Sequence, residues 1–168
     1  MRLDSVREVL RALRDAGVRY LVAGGLAVNA HGYLRFTKDV DFVLQLDPDN
    51  IRLAFSALAE LGYRPAVPVT AEQFADPQQR QQWIREKGME VLQLWSDAHP
   101  ETPVDLFVTE PFDFEAEYRR SLAKPLDPDL PVHFVSLETL IRMKAAADRE
   151  QDRTDIAQLR RLHGEHDV

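Results

Sequence analysis

The apolar run from Val18 to Ala23 ends on Gly24-Gly25, and the residues that follow, Leu26 to His31, take up helical spacing. A buried strand that turns at once into a helix commits the chain to a sheet with helices packed against it. Paired glycines let backbone approach another group closely. The amino end of the helix offers free N–H donors and a positive dipole end. This arrangement is a phosphate cradle in principle; taken alone, a plain tight turn between strand and helix is the commoner reading.

The remaining segments extend that pattern. Ser5 with Glu8 reads as a capping box for a helix carrying Val6, Val9, Leu10 and Leu13 and ended by Gly17. Asp39 to Leu46 reads as a strand. Asp47-Pro48 opens a helix with Asp as N-cap and Pro in the first turn, with Ile51, Phe55, Leu58 and Leu61 on its apolar face. Residues 65–88 form a long excursion, helical near 77–87. Met89 to Leu94 and Val104 to Val108 read as strands, Pro111 to Ser121 as a helix, and Lys124 to Pro131 as a proline-rich connection. Ser136 caps a helix through Ala147, and a last helix runs from about Asp152 to Leu162. The expected fold is α/β (α+β), a mixed sheet flanked by helices. Residues 1–168 form a single domain whose helices of about 136–163 pack on or beside the core.

Composition removes several function classes. With 168 residues, 45% of them hydrophobic, the chain can build a proper core. Its formal net charge of −7 excludes a general nucleic-acid coater, which needs clustered Lys and Arg. The absence of cysteine excludes disulfides, zinc–thiolate sites and a thiol nucleophile. Met1 to Leu13 carries no apolar run fit for a signal peptide, and no segment approaches the ~20 apolar residues that span a bilayer. The expectation is a soluble cytoplasmic protein with no membrane partner.

Two acidic features carry the chemistry. In Asp39-Val40-Asp41, residues i and i+2 of a strand point to one face, so both carboxylates converge. Like charges that close repel unless a cation lies between them, and oxygen-only ligands select a hard ion, Mg²⁺ or Mn²⁺. A solvated strand edge over buried Val40, Phe42 and Val43 is the competing reading. Asp105, within Pro103-Val104-Asp105-Leu106-Phe107-Val108, is a single acid in an apolar strand and needs a partner if buried. Beside the first acidic strand it completes a three-carboxylate site; otherwise it is an acid at a frayed strand end.

Together these residues resemble the DNA polymerase β-like nucleotidyltransferase superfamily, and within it the AbiEii-type branch found as toxins of toxin–antitoxin pairs. The matching text is Val22-Ala23-Gly24-Gly25-Leu26-Ala27-Val28-Asn29-Ala30-His31-Gly32, then Arg35-Phe36-Thr37-Lys38-Asp39-Val40-Asp41, Val104 to Val108, and Ser136 to Lys144. The resemblance runs from about residue 5 to residue 162. It implies a metal-dependent enzyme that moves a nucleoside monophosphate from a nucleoside triphosphate onto a tRNA or other RNA end, or onto a protein hydroxyl. An antitoxin protein is the implied partner. Gly24 and Gly25 would hold the triphosphate. Asp39 and Asp41 would ligate the metals, and Asp105 would join the second metal and act as base.

Further residues leave alternatives open. Arg35 and Lys38 reach phosphates or pair with neighbouring carboxylates. Lys144, which with Asp152 and Asp155 matches positions of the AbiEii-type branch, binds the nucleotide or pairs with Asp148. Trp83 and Arg80 form a nucleobase lid or simply anchor a surface helix. A catalytically inactive module of the same fold, binding a nucleotide or a partner, is the alternative function.

Overall fold

The computed structural model, which describes residues 1–164, holds eight helices and seven strands there, seven of the helices and four of the strands at expected places. The helices are α1 (Leu3–Asp15), α2 (Gly24–Ala30), α3 (Pro48–Glu60), α4 (Ala71–Ala75), α5 (Pro77–Lys87), α6 (Phe114–Arg120), α7 (Leu137–Ala147) and α8 (Glu150–Leu162). The strands are β1 (Tyr20–Ala23), β2 (Val40–Leu44), β3 (Arg64–Pro65), β4 (Val91–Trp95), β5 (Val104–Phe107), β6 (Leu122–Asp127) and β7 (Leu130–Phe134). The strands form a single mixed sheet in the order β3-β4-β5-β2-β1-β7-β6. The expected α/β sheet flanked by helices is the fold observed.

Alternating side chains divide the core in two, one part on each face of the sheet. On one face Val22, Phe42, Leu44, Leu92, Leu94 and Leu106 pack with Val9, Leu10 and Leu13 of α1, Ile51 and Leu58 of α3, and Phe74 and Trp83 of α4 and α5. On the other, Leu21, Ala23 and Val43 pack with Ala27 and Val28 of α2, Phe114 of α6, Leu140 of α7 and Leu159 of α8. Asp41 lies two residues before Val43 on β2, so its side chain belongs to this second face.

Local capping accounts for the sharpest boundaries. Asp47 accepts from the backbone N–H groups of Asp49 and Asn50 at the start of α3, and Ser136 accepts from Thr139 at the start of α7. The capping box expected at Ser5 and Glu8 is not formed. Arg2 occupies the N-cap of α1 without a side-chain bond, and Ser5 is buried inside the helix. Its Oγ meets His99 Nδ1 at 2.7 Å, and Glu8 meets His99 Nε2 at 3.0 Å. His99, 94 residues from Ser5, has taken both side chains.

The connection expected at Lys124 to Pro131 is instead the β6–β7 hairpin. Pro125 stands opposite Pro131, beside a register shift between Pro125 and Asp127. A proline removes one ladder donor, and here β6 is the sheet edge, where that loss is tolerated. The expected helix at Pro111 to Ser121 starts later, at Phe114, because Asp113 caps it through Ala116 N. Within residues 65–88, α5 lies where expected, and α4 precedes it behind a Thr70–Gln73 capping box.

Candidate active cleft

The site is built on a row of four residues across neighbouring strands. Gln93 of β4 is level with Asp105 of β5, Asp105 with Asp41 of β2, and Asp41 with Ala23 of β1. Register partners project to the same side of a sheet, so these side chains line up on the second face. Gln93 Nε2 donates to Asp105 Oδ1 at 3.0 Å. Asp41 and Asp105 hydrogen-bond each other, with Asp41 as the donor.

The donor assignment follows from the electrostatics. Burial, then the charges of Asp105 and Asp39, push the Asp41 carboxyl up to about 8, while Lys144 acts in the opposite sense. Burial and the Asp39 charge also raise Asp105, against the hydrogen bonds it accepts from Gln93 and Asp41. Two carboxyls held together share a proton when no cation separates them.

The glycine pair has a steric task at this place. Gly24 begins α2 directly after Ala23, with φ +61 in the left-handed region. A Cβ there would fall 2.7 Å from Asp41 Cγ. At Gly25 a Cβ would fall 2.6 Å from Thr37 Cβ, so the second glycine admits the chain segment that leads into β2. Both positions exclude a side chain because residues some distance along the sequence fold back onto them.

The sequence-derived site residues separate into two groups. Gly24, Asp41, Asp105 and Lys144 line one cleft of about 130 Å³, together with Glu90, Val91, Phe107, Leu140, Met143, Ala147, Arg149 and Asp152. Asp39 precedes β2 and does not line that cleft, though its charge acts on both carboxyls. Among the described residues, no group of three or more His, Asp or Glu side chains is gathered to hold a metal ion. Lys38 is exposed and makes no ion pair or hydrogen bond among the described residues.

Arg35 and Lys144 are engaged by acids of α8. Arg35 grips Asp155 through two bonds, Nε to Oδ1 at 2.7 Å and Nη2 to Oδ2 at 2.8 Å. Lys144 Nζ lies 2.8 Å from Asp155 Oδ2 and 3.0 Å from Asp152 Oδ1. Its expected rival partner, Asp148, pairs instead with Arg153 at 2.8 Å. Asp148 sits at the C-cap of α7 in a left-handed conformation, which turns it away from the helix face that carries Lys144. Burial raises the carboxyls of Asp152 and Asp155, and the hydrogen bonds from Arg149, Lys144, Arg35 and Gln151 outweigh it and hold both below their usual range. Arg149 caps α8, bonding Asp152 Oδ2 through backbone N at 3.1 Å and Nε at 2.9 Å.

The sequence does not single out Glu90 and Arg149, which line the cleft, or Gln93, which holds Asp105. Gln93 had a signal: it is the polar member of an otherwise apolar Val91-Leu92-Gln93-Leu94 alternation. Trp83 and Arg80 do not form a lid. Trp83 is buried against Phe74, and the Arg80 guanidinium donates to the Phe74 carbonyl. They anchor α5.

No family model and no curated protein matches the chain. Solved structures do. The lincosamide antibiotic adenylyltransferase LnuA, bound to lincomycin, superposes with a TM-score of 0.62 at 15% identity, over 94% of this chain and 95% of that one. ANT(2")-Ia in complex with adenylyl-2"-tobramycin gives 0.57 at 12% identity, over 95% and 88%. A Thermotoga maritima protein described as a candidate nucleotidyltransferase gives 0.54 at 15% identity, over 98% and 93%. The chain therefore has the nucleotidyltransferase fold, and no described helix is long and apolar enough to cross a membrane.

Proposed function

We propose that this chain is an enzyme that transfers a nucleoside monophosphate from a nucleoside triphosphate to a hydroxyl, using Asp41 and Asp105 beside Gly24. The observation that carries the reading is the level pairing of these two carboxyls on parallel strands, with backbone lacking a side chain next to them.

The donor set suits a hard divalent cation. The acidic ligand atoms are carboxylate oxygens, and burial together with their mutual repulsion already drives Asp41 to hold a proton. Asp41 and Asp105 would hold Mg²⁺ or Mn²⁺, with Asp39 as the third carboxylate. Such an ion would supply charge neutralisation for the triphosphate and activation of the incoming oxygen. Asp105, oriented by Gln93, is the base proposed to take the acceptor's proton. On the sequence resemblance, Gly24 and Gly25 would hold the triphosphate, through backbone alone. Lys38 is the cation free to meet a phosphate, whereas Arg35 and Lys144 would each exchange a carboxylate for one.

On the sequence resemblance, the finer reading is an AbiEii-type toxin acting in the cytoplasm on an RNA end or a protein hydroxyl, with an antitoxin partner. The antibiotic-bound neighbours favour instead a small-molecule hydroxyl. A second reading, nucleotide binding without turnover, is favoured by one fact: no group of three metal-binding side chains is gathered among the described residues.

Incubation with each α-labelled triphosphate and Mn²⁺, following pyrophosphate release and transferred label, tests these readings. Release by the wild type, with a loss of at least about a hundredfold in Asp105→Asn, supports the enzyme. Binding without release across all acceptors supports the second reading. No shift in melting temperature with any triphosphate and Mn²⁺ would sink both.

A further inference from the structure

The cleft does not end at Asp105. Past Phe107 it adjoins an apolar pocket of about 290 Å³ walled by Ile84, Met89, Phe107, Val108, Met143 and Ala146. Glu90, Phe107, Met143 and Ala147 line both spaces. The strand register explains the junction. Val91 is level with Phe107, two residues along the same face from the Gln93–Asp105 pair. Phe107 thus carries the row of acids outward to the pocket wall.

A nucleotidyl transfer brings together two substrates, and this pocket is unsuited to the first. A triphosphate is a polyanion, and the walls are hydrocarbon, aromatic ring and methionine thioether. The carboxylate at the shared lip is also wrong for a triphosphate. Glu90 is exposed, and its carboxylate makes no hydrogen bond or ion pair among the described residues; Arg149, on which its charge acts, is already bound to Asp152. An apolar body gains by entering, a cation on it gains from Glu90, and an anion is opposed.

We propose that this pocket seats the acceptor, and that the acceptor is a small hydroxyl compound with an apolar body, uncharged or cationic. The inference rests on the nucleotidyl-transfer reading. The pocket lies at the low end of the ~300–1,000 Å³ range that holds small molecules, enough for one or two rings. The acceptor oxygen forms a bond to the α-phosphorus of the triphosphate, whose bond to the bridging oxygen breaks. Pyrophosphate leaves, and the hydroxyl proton passes to Asp105. The products are a phosphodiester of the acceptor and pyrophosphate. An RNA end, flanked by phosphodiester charges, fits neither the walls nor Glu90.

Three probes share a phenyl ring and a hydroxyl but differ in charge: 3-phenyl-1-propanol, phenylalaninol and 3-phenyllactate. Saturation-transfer NMR on the metal-free protein reads binding, and label from α-labelled triphosphates with Mn²⁺ reads transfer. Ala146 lines the apolar pocket alone and is exposed on α7, so Ala146→Trp fills the pocket without entering the core. The neutral and cationic probes should bind and take label, the anionic probe about tenfold less in both. Ala146→Trp should cut probe binding at least about fivefold and leave triphosphate binding unchanged. Equal probe binding by wild type and Ala146→Trp overturns the proposal. So does label on a short RNA or a Ser/Tyr peptide with the alcohols unlabelled, an outcome that leaves nucleotidyl transfer itself standing. A wild type that binds no triphosphate overturns both.

Discussion

Gly24 presents bare backbone to the carboxyl of Asp41: a side chain placed there would fall 2.7 Å from Asp41 Cγ. The contact joins the turn after β1 to the acid on β2, and the pairing of Ala23 with Asp41 holds the two in register. The glycine is therefore part of the acid site and not merely a hinge.

Gly24→Ala should cost about 1–2 kcal/mol from its left-handed backbone alone, and it should also displace Asp41. Gly17→Ala is the matched control, with φ +73 and nothing within 4 Å of the added methyl. In urea titrations Gly17→Ala should show the backbone cost alone, and Gly24→Ala should lose at least as much, the excess reading the clash with Asp41. Only Gly24→Ala should lose binding of triphosphate with Mn²⁺. Equal binding losses would make the Gly24–Asp41 contact irrelevant.

Asp41→Asn should stabilise the metal-free protein while abolishing transfer. The folded-state pKa of Asp41 is about 8 against 3.8 unfolded, so ionisation favours the unfolded chain. The contribution of this group is fully present below about pH 3.8 and is lost as the pH rises toward 8. At pH 8 without divalent ions, the variant should melt at least about 3 °C above wild type, equivalent to ~1 kcal/mol. Added Mn²⁺ should stabilise wild type and leave the variant unmoved. A variant no more stable than wild type would remove the buried, mutually repelling charge on which the cation site is argued.

Asp155→Ala should destabilise by about 3–5 kcal/mol, since it strips Arg35 of its bidentate partner and Lys144 of one of two acids. Asp152 and Asp155 are held below their ordinary range, so their stabilising share persists above the unfolded pKa of 3.8 and fades as the pH falls further. Urea midpoints of wild type should therefore drop below about pH 4 more steeply than those of Asp155→Ala. Parallel acid profiles would contradict this.

Trp83→Ala should cost about 3–5 kcal/mol, the range for emptying a large aromatic site in a core. Its affinity for triphosphate should stay within about threefold of wild type. A surface lid would give the opposite result, unchanged melting and weakened nucleotide binding.

The sequence was most readable where a signal and its effect lie within a few residues. Asp47 and Ser136 cap the helices they precede, and Asp41 projects with Val43 because strand side chains alternate. It was least readable where a distant partner competes. Ser5 and Glu8 have the spacing of a capping box, yet His99 claims both. Lys144 has an acid at i+4, yet the turn into α8 brings Asp152 and Asp155 to it instead. Lys124 to Pro131 has the composition of a loop, and only the place of β6 at the sheet edge allows it to be a strand.

By itself, the sequence determined the alternation of strands and helices, the glycine pair, and the acids on two strands that could share a site. Hydrophobic period, capping residues and turn residues act over one or two turns of chain, so they can be read locally. The tertiary structure alone decided that β2 and β5 are neighbours in parallel register, that Asp41 and not Asp39 meets Asp105, and that Arg35 and Lys144 are tied to α8. These pairings join residues up to 120 positions apart. They exist only because the two packed faces of the sheet fix where each element lies.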